Sequence, residues 1–340
     1  MSAAVRFLVG VGLGVATLIL GLALMFVILD QTGRLKAPSL ANRLSFDEKL
    51  RYLRQDPPDQ VEVLLLGSST TLHGIDGAIL RAQLGLRGDV LNLGVQDLRV
   101  NQIGFLAEVF LAQYPDVAHV MMISTTLDYK DCGRVETQFF APEDVLGYLN
   151  GGLSLYYYFR YLDLPGTFKR ARQMQHLRST ITDLESVAFD EHGGLLLDVP
   201  RDRIVDRVWE GDPITLDPPC YPALRRLAEG LRERGIRFTF VTAPMRPGYL
   251  AGRDPDGTLL QEHLRRLGDT LRGTRTIVIN AHDALDVPEA AFFDAYHLKR
   301  DHARQFTRFV SERLLAELHR PRDRRAVSPA AGRPRAATGT

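Results

Sequence analysis

VEVLLLGSSTTLHGID, residues 61–76, is the stretch whose reading decides the fold. Six apolar-rich residues, Val61 to Leu66, stop at Gly67, Ser68 and Ser69. A short apolar run closed by Gly and Ser reads as a buried strand entering a tight turn. Buried strands of this kind are usually parallel and central in α/β proteins. The C-terminal ends of such strands are where open α/β sheets place their ligands. Two readings of the serines stand side by side. Either of them can cap the following helix, or one can present a reactive hydroxyl on a turn that Gly67 frees sterically.

Outward from this strand, alternating strand and helix patterns fill the chain to about residue 319. Gly74 to Leu84 reads as a helix and Asp89 to Leu93 as a second strand ended by Gly94. Asn101 to Tyr114 is a helical stretch closed by Pro115, and Val117 to Ser124 is a third strand. Pro222 to Gly235 is amphipathic, with Gly235 as its stop. Arg237 to Thr242 and Thr276 to Asn280 are the fourth and fifth strands. Helices are expected over Leu259 to Leu271 and Asp301 to His319. The alternation predicts βαβ units: a three-layer α/β/α domain with a five-stranded parallel sheet, the first strand central.

Upstream, Phe7 to Leu29 carries no charge in 23 residues. At about 1.5 Å per residue it spans a hydrocarbon core of about 30 Å. A cleaved signal peptide would have a shorter apolar region followed by small residues; here the run ends on the bulky residues 25–29, which favours an uncleaved anchor. Arg6 on one side and Arg34 and Lys36 on the other, offset by Asp30, leave the positive-inside rule undecided. A short N-terminus ahead of a single span commonly stays inside, which puts the C-terminal domain outside the cytoplasm, periplasmic or extracellular. The organisation expected is an anchor at 1–30, a charged linker at 31–58 ending in Pro57 and Pro58, a domain at 59–319 and a disordered basic tail at 320–340.

The domain is interrupted at about 130–219 by an inserted helical subdomain, with aromatics at 156–159 and 161 and a basic stretch from Lys169 to Arg178. Its aromatics form either a core of their own or a lid or binding surface; loops this long are uncommon unless functional. The only two cysteines, Cys132 and Cys220, bracket it. They are either two unrelated buried thiols or, in an oxidising compartment, a disulfide tying the insertion's ends together. In the chain-entropy model such a bond contributes about 4–5 kcal/mol.

Chemistry enters with FFDAYHL, residues 292–298. Asp294 and His297 lie three apart between the fifth strand and the last helix, so the carboxylate can receive the imidazole N–H and fix its tautomer. A capping Asp and a packed His would read the same way in isolation; their place on the side of the sheet that also carries Ser69 is what ties them to it. His73 can line the same pocket, although a surface or capping role suits it as well, and His302 reads as exposed. A net charge of +1 gives no reason to expect nucleic acid as a partner. No metal-binding cluster, Walker motif or dinucleotide fingerprint is present in the sequence, so no cofactor is expected.

These patches resemble the SGNH (GDSL-type) hydrolase superfamily. LLLGSSTTLHGID is similar to the first block, with Ser69 at the nucleophile and Ser68 where many members have Asp. Asn92, Leu93 and Gly94 resemble the second block, whose Gly amide serves the oxyanion hole. Asp294 to Leu298 resembles the last block, DxxHL, and the following helix, with Phe306 and Phe309 inward, fits the usual ending. The third block departs: the strand runs into residues 124–128, STTLD, with no Asn, and Thr126 takes the nearest position. The layout is closest to membrane-anchored polysaccharide O-acetylation proteins and teichoic-acid D-alanyl transfer proteins. The resemblance implies a Ser69–His297–Asp294 triad, an oxyanion hole from the amides of Ser69 and Gly94 with Thr126, and an esterase or O-acyltransferase acting on short acyl esters, acetyl first, of an envelope or exported polysaccharide. The partners it implies are an acylated glycan or acyl donor and an integral-membrane acyltransferase. The alternative is an inactive member of the fold that binds glycan or scaffolds a modification complex.

Overall fold

Five parallel strands form the centre of the molecule: β1 (Val61–Gly67), β2 (Asp89–Asn92), β3 (His119–Ser124), β4 (Arg237–Thr242) and β5 (Ile277–Asn280). Their spatial order is β2-β1-β3-β4-β5. The computed structural model describes residues 2–206, 210 and 213–320. The tail expected at 320–340 lies, apart from its first residue, outside the described residues. Each strand lies within two residues of its expected span. The middle strand, however, is β3, with β1 between it and β2. The chain winds one way from β1 to β2 and the other way from β3 to β5. The direction therefore reverses between β1 and β3, the crevice where such sheets bind ligands.

Side chains alternate across the sheet, as a period of two requires. Leu64, Leu66, Val120, Met122, Phe238 and Phe240 enter one core. Against them pack α2 (Leu44–Gln55), α5 (Val100–Gln113), α10 (Cys220–Glu233) and α12 (Thr258–Leu271). Val63, Leu65, Met121, Ile123, Val241 and Ile279 face the second core with α4 (Gly77–Leu84) and α14 (Arg300–His319). The result is the three-layer arrangement expected. Phe306 is fully buried on α14, while Phe309 is half-buried at its margin. The helix expected over 74–84 is α4, which starts at Gly77 because Asp76 caps it through the Ile79 amide; a separate short helix, α3 (Ser69–Gly74), precedes it.

Two regions depart from expectation. Residues 31–58 are not a bare linker. Within them α2 drives Phe46, Leu50 and Leu53 into the first core, each almost completely buried. The inserted residues contain α6 (Pro142–Leu149), α7 (Ser154–Arg160), α8 (Leu164–Ala171) and α9 (Met174–Ser179). Their aromatics do not make a separate core: Tyr148 and Tyr157 join the first core, and Tyr158 packs on Phe26. Cys132 and Cys220 are disulfide-bonded, with Cα atoms 5.3 Å apart, so the ends of the insertion are joined.

The N-terminal helix α1, Ala3–Gln31, is long and apolar enough to cross a membrane. Its exit is fastened to the domain. Arg178 of α9 donates to the carbonyls of Gly33 and Leu35 and grips both carboxylate oxygens of Glu48 on α2. Lys36 pairs with Asp163 at 2.7 Å.

Candidate active site

The turn after β1 is built around Gly67, at φ +151°. A Cβ there would fall 1.9 Å from Thr71 Oγ1 and 2.6 Å from the Ile123 carbonyl, so only glycine fits. The two serines then divide the roles that the sequence left open. Ser68 is the N-cap of α3, its hydroxyl accepting from the Thr70 amide. It also hydrogen-bonds Asp128, a fully buried carboxylate that in turn receives Ser124 Oγ at 2.7 Å and the Thr125 amide. Burial pushes the Asp128 carboxyl up, against the pull of those donors. Ser69, freed of capping, turns its hydroxyl to His297: Oγ and Nε2 are 2.8 Å apart.

His297 and Asp294 share a tight loop closed by the bridge between Phe292 and Leu298 and by the Phe293 amide on the His297 carbonyl. Asp294 Oδ1 accepts the amides of Tyr296 and His297. Both of its oxygens lie near His297 Nδ1, at 2.7 and 2.8 Å. Burial would raise this carboxyl, but the His297 charge and these hydrogen bonds hold it below the usual carboxylate range. With Asp294 ionised, Nδ1 keeps the proton and Nε2 presents its lone pair to Ser69. Arg246 and Glu210 steady the loop from outside. The Arg246 amide donates to the Ala295 carbonyl, Glu210 Oε1 accepts the Ala295 amide, and the two side chains pair at 3.2 Å. Ser69, Asp294 and His297 are all buried, Ser69 retaining 6% of its surface.

The other two residues expected at the oxyanion hole are differently engaged. The Gly94 amide donates to Asn92 Oδ1 at 2.8 Å, because the Asn92 side chain folds over its own turn and gives its Nδ2 to the Thr71 carbonyl. Gly94 still lies against α3, where a Cβ would meet the Leu72 amide nitrogen at 2.4 Å. The buried Thr126 hydroxyl points to Met245 Sδ at 3.5 Å. The Ser69 amide, at the first position of α3, makes no hydrogen bond among the described residues.

Three further residues shape the site. Lys49 reaches from α2 to the carbonyls of Asn92 and Gly94, both at 2.7 Å, and burial pushes its amine down to about 7, against the pull of Asp190. A signal for it exists in the sequence: Phe46, Lys49, Leu50 and Leu53 follow the i, i+3, i+4, i+7 stripe of a buried helix face, with a lysine on it. The second half of the insertion covers the turn, the Leu195 amide donating to the Leu72 carbonyl. His73 is not at the surface. It is fully buried, with its ring edge-on to His297 at 5.3 Å and Nδ1–H donating to the Leu195 carbonyl at 2.7 Å. His302, expected to be exposed, is half-buried.

Burial, assisted by the His297 charge, pushes His73 down to about 3 from an ordinary 6.5. Between those values the unfolded chain binds a proton at this position that the folded chain refuses. Stability tied to His73 is thus complete above pH 6.5 and is lost as pH falls toward 3. We expect the wild type to lose about 1.4 kcal/mol per pH unit relative to His73→Gln between pH 6 and 4. Urea unfolding of both proteins across that interval checks it. Parallel pH profiles would refute it.

Among the described residues, no three His, Cys, Asp or Glu side chains are grouped to hold a metal ion. No protein-family model matches the chain. No curated protein matches it either.

Proposed function

We propose that the protein is a membrane-anchored serine acyl-transfer enzyme of the SGNH (GDSL-type) kind, working outside the cytoplasm on short acyl esters of a polysaccharide. The observation that carries this reading is the continuous Ser69–His297–Asp294 hydrogen-bond chain, with 2.8 Å between Oγ and Nε2. It joins residues 228 apart in sequence at the crevice where the sheet reverses. A capping serine and a packed histidine have no reason to meet in this geometry. The apolar α1 supports attachment to a membrane.

In this mechanism Ser69 Oγ attacks the acyl carbonyl carbon while His297 Nε2 takes the hydroxyl proton. Asp294 stabilises the imidazolium without taking its proton. In this reading the uncommitted Ser69 amide donates to the oxyanion. Collapse breaks the ester C–O bond, and the departing alcohol receives the proton from His297. Water, or a sugar hydroxyl, then gives its proton to His297 and attacks the acyl-serine, and the proton returns to Ser69.

A second reading draws on the committed Gly94 amide and Thr126 hydroxyl. A protein that lacks these donors would keep the fold to bind a glycan or scaffold a modification complex. Labelling with a fluorophosphonate probe separates the two. The enzyme reading expects stoichiometric modification of the full chain that disappears in Ser69→Ala. An unlabelled wild type, folded by thermal melting, would leave the binding reading.

A further inference from the structure

Outside α1, eight large apolar side chains are exposed among the described residues. Five of them, Leu153, Tyr156, Phe159, Leu162 and Phe168, fall within α7, α8 and their flanks. Scattered exposed apolar residues need no explanation, but a concentration of them on one short segment does. This segment packs directly against α1. The Phe26 ring lies 5.4 Å from Tyr158 and 5.9 Å from Phe159, and Leu22, Met25 and Leu29 pack into the same cluster as Leu155 and Leu164.

Depth follows from helix geometry. A hydrocarbon core of about 30 Å centred on the uncharged 7–29 run reaches roughly ten residues either side of its midpoint. The α1 side chains in this cluster therefore run through one leaflet, from Leu22, about 6 Å from the midplane, to Leu29 at the outer edge of the hydrocarbon. The domain cannot stand clear of the bilayer on a flexible stalk, since Arg178, Lys36 and Arg51 fasten the exit of α1 to α2, α8 and α9. The exposed set mixes Leu, Phe and Tyr with the exposed cations Lys169 and Arg172. That is the composition of an interfacial helix, with apolar and aromatic groups at the acyl boundary and cations at lipid phosphates.

We propose that α7 and α8 form a lipid-docking surface that sinks to the headgroup–acyl boundary of the leaflet from which α1 emerges, fixing the domain against the membrane. The occupant is the lipid itself, preferentially anionic. The inference rests on α1 crossing a membrane. It goes beyond the catalytic reading and holds whether or not the triad turns over.

The test uses the full chain in vesicles of about 3:1 phosphatidylcholine to phosphatidylglycerol, with lipids brominated either high or low on the acyl chain. Single substitutions report three places: Phe159→Trp and Phe168→Trp on the surface, Leu13→Trp in α1, and Val278→Trp on β5, at the sheet edge opposite β2. The unsubstituted protein supplies the background from Trp209. We expect shallow bromines to remove roughly half of the added emission in the Phe159→Trp and Phe168→Trp proteins, and less than about a tenth in Val278→Trp. Deep bromines should quench Leu13→Trp most. If Leu13→Trp is quenched while Phe159→Trp and Phe168→Trp behave like Val278→Trp, lipid docking is overturned and the patch falls to an integral-membrane protein partner. If Leu13→Trp is not quenched either, the anchor reading has failed and the docking proposal with it.

Discussion

Alanine in place of His297 is expected to lower the turnover of a short-chain p-nitrophenyl ester about 10⁶-fold, and asparagine in place of Asp294 about 10⁴-fold. The two numbers differ because the side chains do different work. His297 Nε2 holds the Ser69 hydroxyl at 2.8 Å; without it no hydrogen-bond partner of Oγ is left among the described residues to accept its proton. Asp294 never touches Ser69. Asparagine at 294 can still accept the Tyr296 and His297 amides through its oxygen. Its NH₂ group then faces Nδ1, favours the imidazole with its proton on Nε2, and leaves no lone pair for Ser69. The asparagine variant should accordingly label with fluorophosphonate slowly, and the alanine variant not at all on the same timescale. Steady-state rates, with thermal melting as the folding control, check both. A His297→Ala protein within tenfold of the wild-type rate would remove the triad from the mechanism.

The triad is legible in the sequence because each member sits at a local signal: a glycine-serine turn closing an apolar run, and an Asp and His three apart before the last helix. Its immediate electrostatic neighbours are not. Gly94 marks the end of β2 correctly, yet whether its amide is available depends on the Asn92 side chain two residues earlier, which rotates to take it. No spacing rule decides that rotation. His73 follows Ser69 on α3, but the carbonyl that its ring donates to belongs to Leu195, more than a hundred residues away. The strands are readable because buried parallel strands are short apolar runs with abrupt ends. Their spatial order is not, since period and composition do not say which strand pairs with which; β3, not β1, takes the centre. The 31–58 stretch reads as a linker because charged residues are scattered along it and it ends in Pro57 and Pro58. The stripe of Phe46, Lys49, Leu50 and Leu53 is visible only when residues are taken three and four apart.

The helix hidden in that stretch carries the largest consequence for stability. A chain beginning at residue 59 looks like a natural soluble fragment if 31–58 is a linker, but it deletes α2 and the Leu40 turn before it. Leu40, Phe46, Leu50 and Leu53 are nearly fully buried in the first core. At about 1.5–3 kcal/mol for each such side chain, their loss forfeits on the order of 6–12 kcal/mol. The entire stability of a domain is about 5–15 kcal/mol. The same deletion frees the carbonyls of Asn92 and Gly94 from Lys49 and the Arg178 guanidinium from Glu48. We therefore expect residues 59–340 to aggregate or to lack a cooperative melt. Residues 32–340, handled in the same mild detergent to shield the surface uncovered around Tyr158, should melt cooperatively and retain the fluorophosphonate reactivity of the full chain. Size-exclusion chromatography and calorimetry of the two fragments decide it. A monomeric 59–340 fragment melting within a few degrees of 32–340 would mean that α2 rests on the domain without holding it together.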